Sequence, residues 1–493
     1  MNTAIRTYAS TDEHAHTHAL NRFAVIPVAE RLGADTTLAG RGITIAFLDS
    51  GFYPHPDLIR PHNRILAYHD VTNPKARFDA ESLPQPSDWH GTQTSVTAAG
   101  NGFLSDGAYR GLASEANVVL VKVSKRGRIT DENIVRGLEW VIANKDRYQI
   151  RIVNMSLGGD IEASFKDSVV DAAAERAVKA GITIVVAAGN AGCTDQPRPI
   201  PPANAPSVIT VGGYNDHNEL KSINHDPYCS SFGPTIDGLM KPEIVAPAIW
   251  VAAPILPRTD FYRQAEALST ISAAPDYQLR KLAGELCQAA ALPDSIADAS
   301  AMEIRETVES GLRERKIVAA HYQHVDGTSF AAPIVTSVIA QMLEANPKLT
   351  PGVIKNILIA TADRSTRLTL HHQGYGVLNA QRAVAEAGRE THTHEECDFN
   401  APRVENDMLV FWYHDDAANQ VSLAGDFNDW NPKQTSFTRH ASGMWQTALP
   451  ILPPGTYQYK LVVNGGRWIE DPSNGLKTED NHGGFNSVLH IAE

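Results

Sequence analysis

Through the first three quarters of the chain, short apolar runs bounded by glycine or polar residues alternate with segments of helical spacing. Residues 43–48, 118–123, 150–155, 182–188 and 206–213 are rich in Val and Ile and read as strands. Near-continuous apolar character is what a parallel strand buried on both faces requires. Residues 92–99, 131–144 and 172–179 read as helices. A further helix runs on from Ile334 to Leu343, and Pro351 opens another after Thr350. Strands alternating with helices predict a mostly parallel sheet covered on both faces, an α/β sandwich.

Two stretches break this rhythm. Residues 257–325 hold Gln278, Leu279, Leu282 and Leu286, then Ile304 and Val308, with charges between them. That spacing predicts an α-helical insertion. A segment this long inside a compact domain is functional or independently structured. It reads either as a lid or recognition subdomain over a cleft, or as an inert surface insertion. Residues 389–403 are polar and charged and read as a linker. Beyond them, residues 404–493 show short alternating strands at 409–413, 420–424, 445–449, 457–463 and 487–491. Turns fall at Pro432, Gly455 and Gly465, predicting a small all-β sandwich of immunoglobulin-like kind.

Candidate chemistry lies at element ends. Asp49 follows the strand at 43–48, where ligands gather in open α/β sheets. His90 opens the helical run that follows it. Ser329, in Gly327-Thr328-Ser329-Phe330-Ala331-Ala332-Pro333, stands where a loop becomes a helix. The unpaired amides of a helix start favour developing negative charge. A carboxylate that fixes a histidine, which takes the proton of a serine, is the logic of nucleophilic catalysis.

The order Asp, His, Ser belongs to the subtilisin arrangement. The motifs DSG (Asp49), HGT (His90), SLGG (Ser156, Leu157, Gly158, Gly159), AAGN (ending at Asn190), KPEIVAPA (241–248) and GTSFAAP follow one another in order. Over roughly residues 22–388 the chain resembles the subtilase family of serine peptidases. The resemblance implies a subtilisin-like sandwich and an endopeptidase with Ser329 as nucleophile, His90 as general base and acid, and Asp49 orienting the imidazole. It implies Asn190 as oxyanion donor and Ser156–Gly159 as the edge that pairs with an extended substrate peptide. Val96 and Ala248 replace smaller residues usual in the family. A catalytically silent relative acting as a glucan-binding or scaffold protein is the alternative. The family needs no cofactor. It often binds calcium, through an aspartate matching Asp57 and a loop at 101–107.

The tail resembles the glycogen-binding domain of the AMP-activated protein kinase beta subunit, grouped with carbohydrate-binding module family 48. Gly425-Asp426-Phe427-Asn428-Asp429-Trp430 and Arg467-Trp468-Ile469-Glu470-Asp471-Pro472 carry the likeness. It implies that Trp430, Lys460, Trp468 and Asn486 grip an α-glucan such as glycogen, the indoles covering sugar faces and the polar groups bonding hydroxyls. His482 stands where the family has a leucine. A non-binding sandwich with core tryptophans is the competing reading.

The net charge of −13 argues against generic binding to nucleic acid. No apolar run reaches the roughly 18 residues of a membrane span. The arm at 1–21 lacks an apolar secretory segment. His14, His16, His18, His392 and His394 read as solvated segments more than as metal ligands. Cys193, Cys229, Cys287 and Cys397 are too sparse for a disulfide framework, so Cys193 is expected to be a reduced thiol and the protein cytoplasmic.

Overall fold

The structure is a computed structural model. It describes residues 24–390 and 402–491, apart from positions 77, 160, 221–223, 406–407, 416, 440–443, 473 and 475–476. The N-terminal arm, its histidines and nearly all of the linker, with His392, His394 and Cys397, lie outside the described residues.

Seven parallel strands, with a short antiparallel one at Asp226–Pro227 beside β6, form the central sheet: β1 (Thr44–Asp49), β2 (Ile65–Asp70), β3 (Asn117–Lys122), β4 (Ile150–Met155), β5 (Thr183–Ala187), β6 (Ile209–Asn215) and β7 (Ile244–Pro247). They lie side by side in the order β7-β6-β5-β4-β1-β3-β2. Every residue of β1 is buried, as its continuous apolar run requires. Helices cover both faces. On one side α1 (Asp88–Ala99) packs beside the long α7 (Thr328–Ala345). On the other lie α2 (Asp131–Tyr148) and α3 (Val169–Lys179). Alternate strand residues feed the two cores: Ile45 and Phe47 join the first, Ala46 and Leu48 the second.

The insertion is helical only in part. Helices α4 (Asp260–Ala273), α5 (Asp276–Leu286) and α6 (Ala301–Glu314) enclose a core of their own around Leu268, Ile271, Leu279 and Ile304. The segment closing the predicted 257–325 helical block instead forms β9 (Ile317–Ala319) and β10 (Tyr322–Val325). Strand β10 pairs antiparallel with β8 (Val251–Pro254). The helices thus grow from the tip of a hairpin. Backbone pairing across that hairpin satisfies the amides at its base, which a helix could not do while returning to the sheet.

Residues 402–491 fold into two antiparallel sheets around Phe411, Leu423, Tyr459 and Leu461. The sheet that concerns function contains β13 (Val421–Gly425), β17 (Gly455–Val463), β18 (Arg467–Ile469), β19 (Lys477–Glu479) and β20 (Phe485–Ile491). The same module also holds β11 (Arg403–Glu405), β12 (Met408–His414), β14 (Thr435–Ser436), β15 (Thr438–Arg439) and β16 (Met444–Pro450). The module is docked on the α/β sandwich. Arg364 pairs with Glu470 at 2.8 Å, His371 with Glu479 at 3.0 Å, and Lys477 Nζ sits 3.3 Å above the Tyr375 ring.

Candidate active site

Asp49 ends β1, and its carboxylate is 1 % exposed. Its Oδ1 accepts from the Ser50 amide at 2.6 Å and its Oδ2 from the Thr94 hydroxyl at 3.2 Å. His90 Nδ1 lies 2.8 and 3.0 Å from the two oxygens. The pair forms because α1 approaches β1 very closely at Gly91. A Cβ there would fall 2.2 Å from the Gly51 carbonyl and 2.8 Å from Asp49 Cβ, so only glycine fits. Helix α1 starts at Asp88, earlier than the sequence pattern indicated, so His90 lies within its first turn. The Asp88 carboxylate extends that start by accepting from the Gln85 amide at 2.7 Å. Burial lowers the imidazole pKa, but the charge and hydrogen bond of Asp49 outweigh it and hold His90 above its ordinary value.

Ser329 occupies the first turn of α7, behind Gly327, whose φ of 139° favours glycine. Around it Thr328 and Phe330 are buried, whereas Ser329 is half-exposed at the mouth of the site. The Phe330 ring centroid is 6.0 Å from that of His90. The Ser329 carbonyl accepts from Ser156 Oγ at 2.8 Å, and Asn154 Nδ2 donates to the same Oγ at 3.1 Å. The Ser156–Gly159 segment therefore begins with a residue that steadies the serine-bearing turn. Beyond it Gly158 is exposed, and the Gly159 amide donates to Pro201 at 2.8 Å. Leu157 is half-buried against the second core.

Asn190 follows β5 and is exposed. Its Oδ1 accepts from both the amide and the hydroxyl of Thr328, at 3.0 and 3.1 Å. With the carbonyl end committed, the Nδ2 end is left to donate. Thr94 and Thr328 were not singled out from sequence. Thr328 lies inside the GTS motif and Thr94 four residues beyond His90, outside HGT, and the partner of each is distant along the chain.

The departures from the family pattern are compensated locally. Ala248 fits because Gly213 faces it: a Cβ on Gly213 would lie 2.4 Å from the Ala248 methyl. Val96 fits beside Gly100 in the same way. Gly374 comes so close to the Pro242 carbonyl that a Cβ would stand 2.0 Å from it.

Asp57 is buried and bonded within the protein. One oxygen accepts from the Leu104 amide at 3.1 Å and the other from the Tyr322 hydroxyl at 2.6 Å, so both are taken by protein donors. Among the described residues no cluster of three or more His, Cys, Asp or Glu is placed to hold a metal. Among them, too, no helix is long and apolar enough to cross a membrane. The cysteine reading needs correction: Cys193 is not a free thiol but is disulfide-bonded to Cys229. The chain bends the two segments together at Gly192, whose amide donates to the Cys229 carbonyl at 3.0 Å. Cysteine count thus gives no argument for a reducing compartment.

In the C-terminal module Lys460, Trp468 and Asn486 lie on one face of the sheet, and Trp430 lies in the turn after β13. Tyr459, Leu461 and Val463 of β17 point into the core, so Gln458, Lys460 and Val462 point outward. Trp468 pairs across from Val462, and Asn486 is two residues before Val488, the partner of Gln458. Asn486 Nδ2 donates to Gln458 Oε1 at 2.8 Å. Trp468 is 42 % exposed. Trp430 Nε1 donates to Asp426 Oδ1 at 3.0 Å, while Asp426 Oδ2 accepts the Gln458 amide. Lys460 is paired with Asp480 at 2.5 Å, and His482 is exposed in the adjoining turn.

A family model described as the subtilase family matches residues 40–376, and one described as carbohydrate-binding module 48 (isoamylase N-terminal domain) matches residues 399–474. Serine protease AprX of Bacillus subtilis is 34 % identical over 358 residues, covering 71 % of this chain and 67 % of that protein. A cuticle-degrading serine protease of Orbilia oligospora is 32 % identical over 192 residues, covering 39 % of this chain and 40 % of that protein. The structure of fervidolysin from Fervidobacterium pennivorans, a keratinolytic enzyme related to subtilisin, shares the fold. Its TM-score is 0.50 at 20 % identity, covering 88 % of this chain and 54 % of that one. From the matched span, the motif order and the site that those motifs build, the chain belongs to the subtilase family of serine peptidases.

Proposed function

We propose that the protein is an endopeptidase in which Ser329, His90 and Asp49 act as one catalytic unit on polypeptide substrates. The observation that carries this reading is the Asp49–His90 pair, 2.8 Å apart, beside the first turn of the helix that bears a solvent-facing Ser329. Ser329 Oγ attacks the scissile carbonyl carbon as His90 takes its proton. Asp49 keeps Nδ1 protonated and stabilises the imidazolium that forms. The oxyanion is met by Asn190 Nδ2 and the Ser329 amide. His90 then gives its proton to the leaving amine, and the acyl-enzyme is released by a water that His90 deprotonates. The Ser156–Gly159 segment aligns the substrate backbone as an added strand.

The helical insertion is read as shaping the approach to His90. Arg258 donates to the Ala80 and Glu81 carbonyls, ahead of Asp88. Replacing residues 261–316 by a short linker changes the kinetics on folded and peptide substrates if this holds, and leaves both unchanged if the insertion is inert.

The module is proposed to tether the peptidase to α-glucan through Trp430, Trp468, Lys460 and Asn486. The support is the shared outer face of Lys460, Trp468 and Asn486, with one indole open to solvent. The domain limits are proposed as 22–388 and 404–493, and the compartment as cytoplasmic. Fluorophosphonate labelling of the wild type, lost in Ser329→Ala, tests the catalytic reading against a silent scaffold. Co-sedimentation with glycogen, lost in the Trp430→Ala plus Trp468→Ala double variant, tests the tether.

A further inference from the structure

The loop that carries Asn190 is held from one direction by Thr328 and from the other by the segment around Cys229. The Ser231 amide donates to the Gly189 carbonyl at 2.8 Å, and the Ala191 amide donates to Ser231 Oγ at 3.1 Å. The Gly192 amide donates to the Cys229 carbonyl at 3.0 Å, and the Cys193–Cys229 bond closes the cross-link, with Cα atoms 5.1 Å apart. A Cβ at Gly192 would stand 2.0 Å from the Ser230 carbonyl, so the two segments are in direct backbone contact. The disulfide lies three residues beyond Asn190. It is at the surface: Cys193 is exposed and Cys229 half-buried. Most of the loop's length between Asn190 and Cys193 therefore has no core packing to fix it. On the Cys229 side its position rests on these three hydrogen bonds and one covalent link, and on the other side on the bonds from Thr328.

We propose that the Cys193–Cys229 disulfide is a positioning element for the Asn190 oxyanion donor, and that its reduction by a dithiol lowers turnover without unfolding the enzyme. The inference rests on the oxyanion role given to Asn190 above. An oxyanion donor is effective only within about 2.7–3.1 Å of the developing charge. A misplacement of about 1 Å costs on the order of 100-fold in rate. Cutting the link leaves the three hydrogen bonds in place but widens the range of positions Asn190 visits, so the loss falls on the transition state and not on substrate binding. The chemistry is a two-electron exchange. The S–S bond breaks, Cys193 and Cys229 each take up a proton and an electron, and the two thiols of the reductant close into its own disulfide. Cys287 is unpaired and sits in the insertion, remote in sequence from this loop.

The experiment compares the full-length enzyme before and after treatment with dithiothreitol, with thiol titration to confirm two new thiols. The kcat is expressed per site titrated by a fluorophosphonate, so that any unfolded fraction is not counted. Reduction is expected to lower kcat about tenfold with KM within about twofold. The Cys193→Ser plus Cys229→Ser variant reproduces the loss and is indifferent to dithiothreitol. In an Asn190→Ala background reduction has no further effect, because the group being positioned is gone. A kcat unchanged on confirmed reduction would overturn the proposal. So would an equal fractional loss in the Asn190→Ala background, which would mark a general structural role. If Asn190→Ala alone costs less than about threefold, the oxyanion reading fails and the positioning role with it.

Discussion

Thr328 grips Asn190 twice: its backbone amide and its hydroxyl both donate to Asn190 Oδ1, at 3.0 and 3.1 Å, across 138 residues of chain. The same hydroxyl accepts from the Gly189 amide at 3.2 Å. One side chain thus sets which end of the Asn190 amide faces the reaction. Thr328→Val keeps the shape, removes the hydroxyl, and leaves the Gly189 amide without its acceptor. A kcat loss of about tenfold is expected with KM little changed, smaller than the 10²–10³ expected for Asn190→Leu. Steady-state kinetics on a peptide substrate checks this; a change in KM alone would contradict the assignment.

Asp49 raises the affinity of His90 for a proton. The base works only when neutral, so kcat/KM should fall on acidification with a midpoint above the ordinary histidine value of 6.5. Asp49→Asn removes the charge. It should move that midpoint down and lower kcat by roughly 10⁴. A pH–rate profile reads both. The same shift stabilises the fold at low pH: the contribution is complete below 6.5 and disappears as pH rises through the folded value.

Glu243 is buried between two lysines, 2.6 Å from Lys241 Nζ and 2.7 Å from Lys355 Nζ, and its other oxygen accepts the Thr210 amide. Burial pulls the Lys241 ammonium down to about 8, against the attraction of Glu243. Glu243→Gln leaves two cations facing each other beneath β6 and β7. Urea denaturation should show a loss of about 3–5 kcal/mol. A loss under about 1 kcal/mol would mean that the lysines lose their charge or reach water without it.

Lys477 joins the module to the peptidase through Tyr375 and pairs with Glu470 of its own module. Burial brings its pKa down to about 7, with Glu470 opposing. The folded state therefore binds fewer protons than the unfolded state between about 7 and the ordinary lysine value of 10.5. Stability should rise with pH across that window and be flat in this respect below it. Lys477→Met removes the dependence. Its melting temperature relative to wild type should be highest near neutral pH and decline toward pH 10, as followed by calorimetry.

Tyr322 and the Leu104 amide each hold one oxygen of Asp57. If those donors keep Asp57, addition of calcium or of a chelator should leave the melting temperature within about 1 °C, because only a ligand that binds the native state raises its stability. A calcium-dependent rise of several degrees, lost in Asp57→Asn, would show that calcium displaces these donors.

The sequence by itself determined most of the elements of the α/β sandwich and the candidate reacting groups. Buried parallel strands announce themselves by continuous apolar runs. Residues 150–155 were legible to the residue, and β1 and β5 to within one. Ser329, His90 and Asp49 were legible because each ends or begins an element inside a motif. The five longest strands of the C-terminal module followed from alternation, whereas Lys460, Trp468 and Asn486 were named through the family resemblance and their common face came from strand pairing. Helix α4 was missed because its Ala- and Ser-rich run carries a weaker apolar stripe than α5 and α6. Tertiary structure alone decided the rest. The pairing of Cys193 with Cys229, the capture of Asp57 by Tyr322 over 265 residues, the turning of Asn190 by Thr328, and the seating of Lys477 on Tyr375 are contacts between distant segments. Local propensity fixes what a segment becomes. It carries no term for which hydroxyl, thiol or carboxylate the completed fold will bring opposite it.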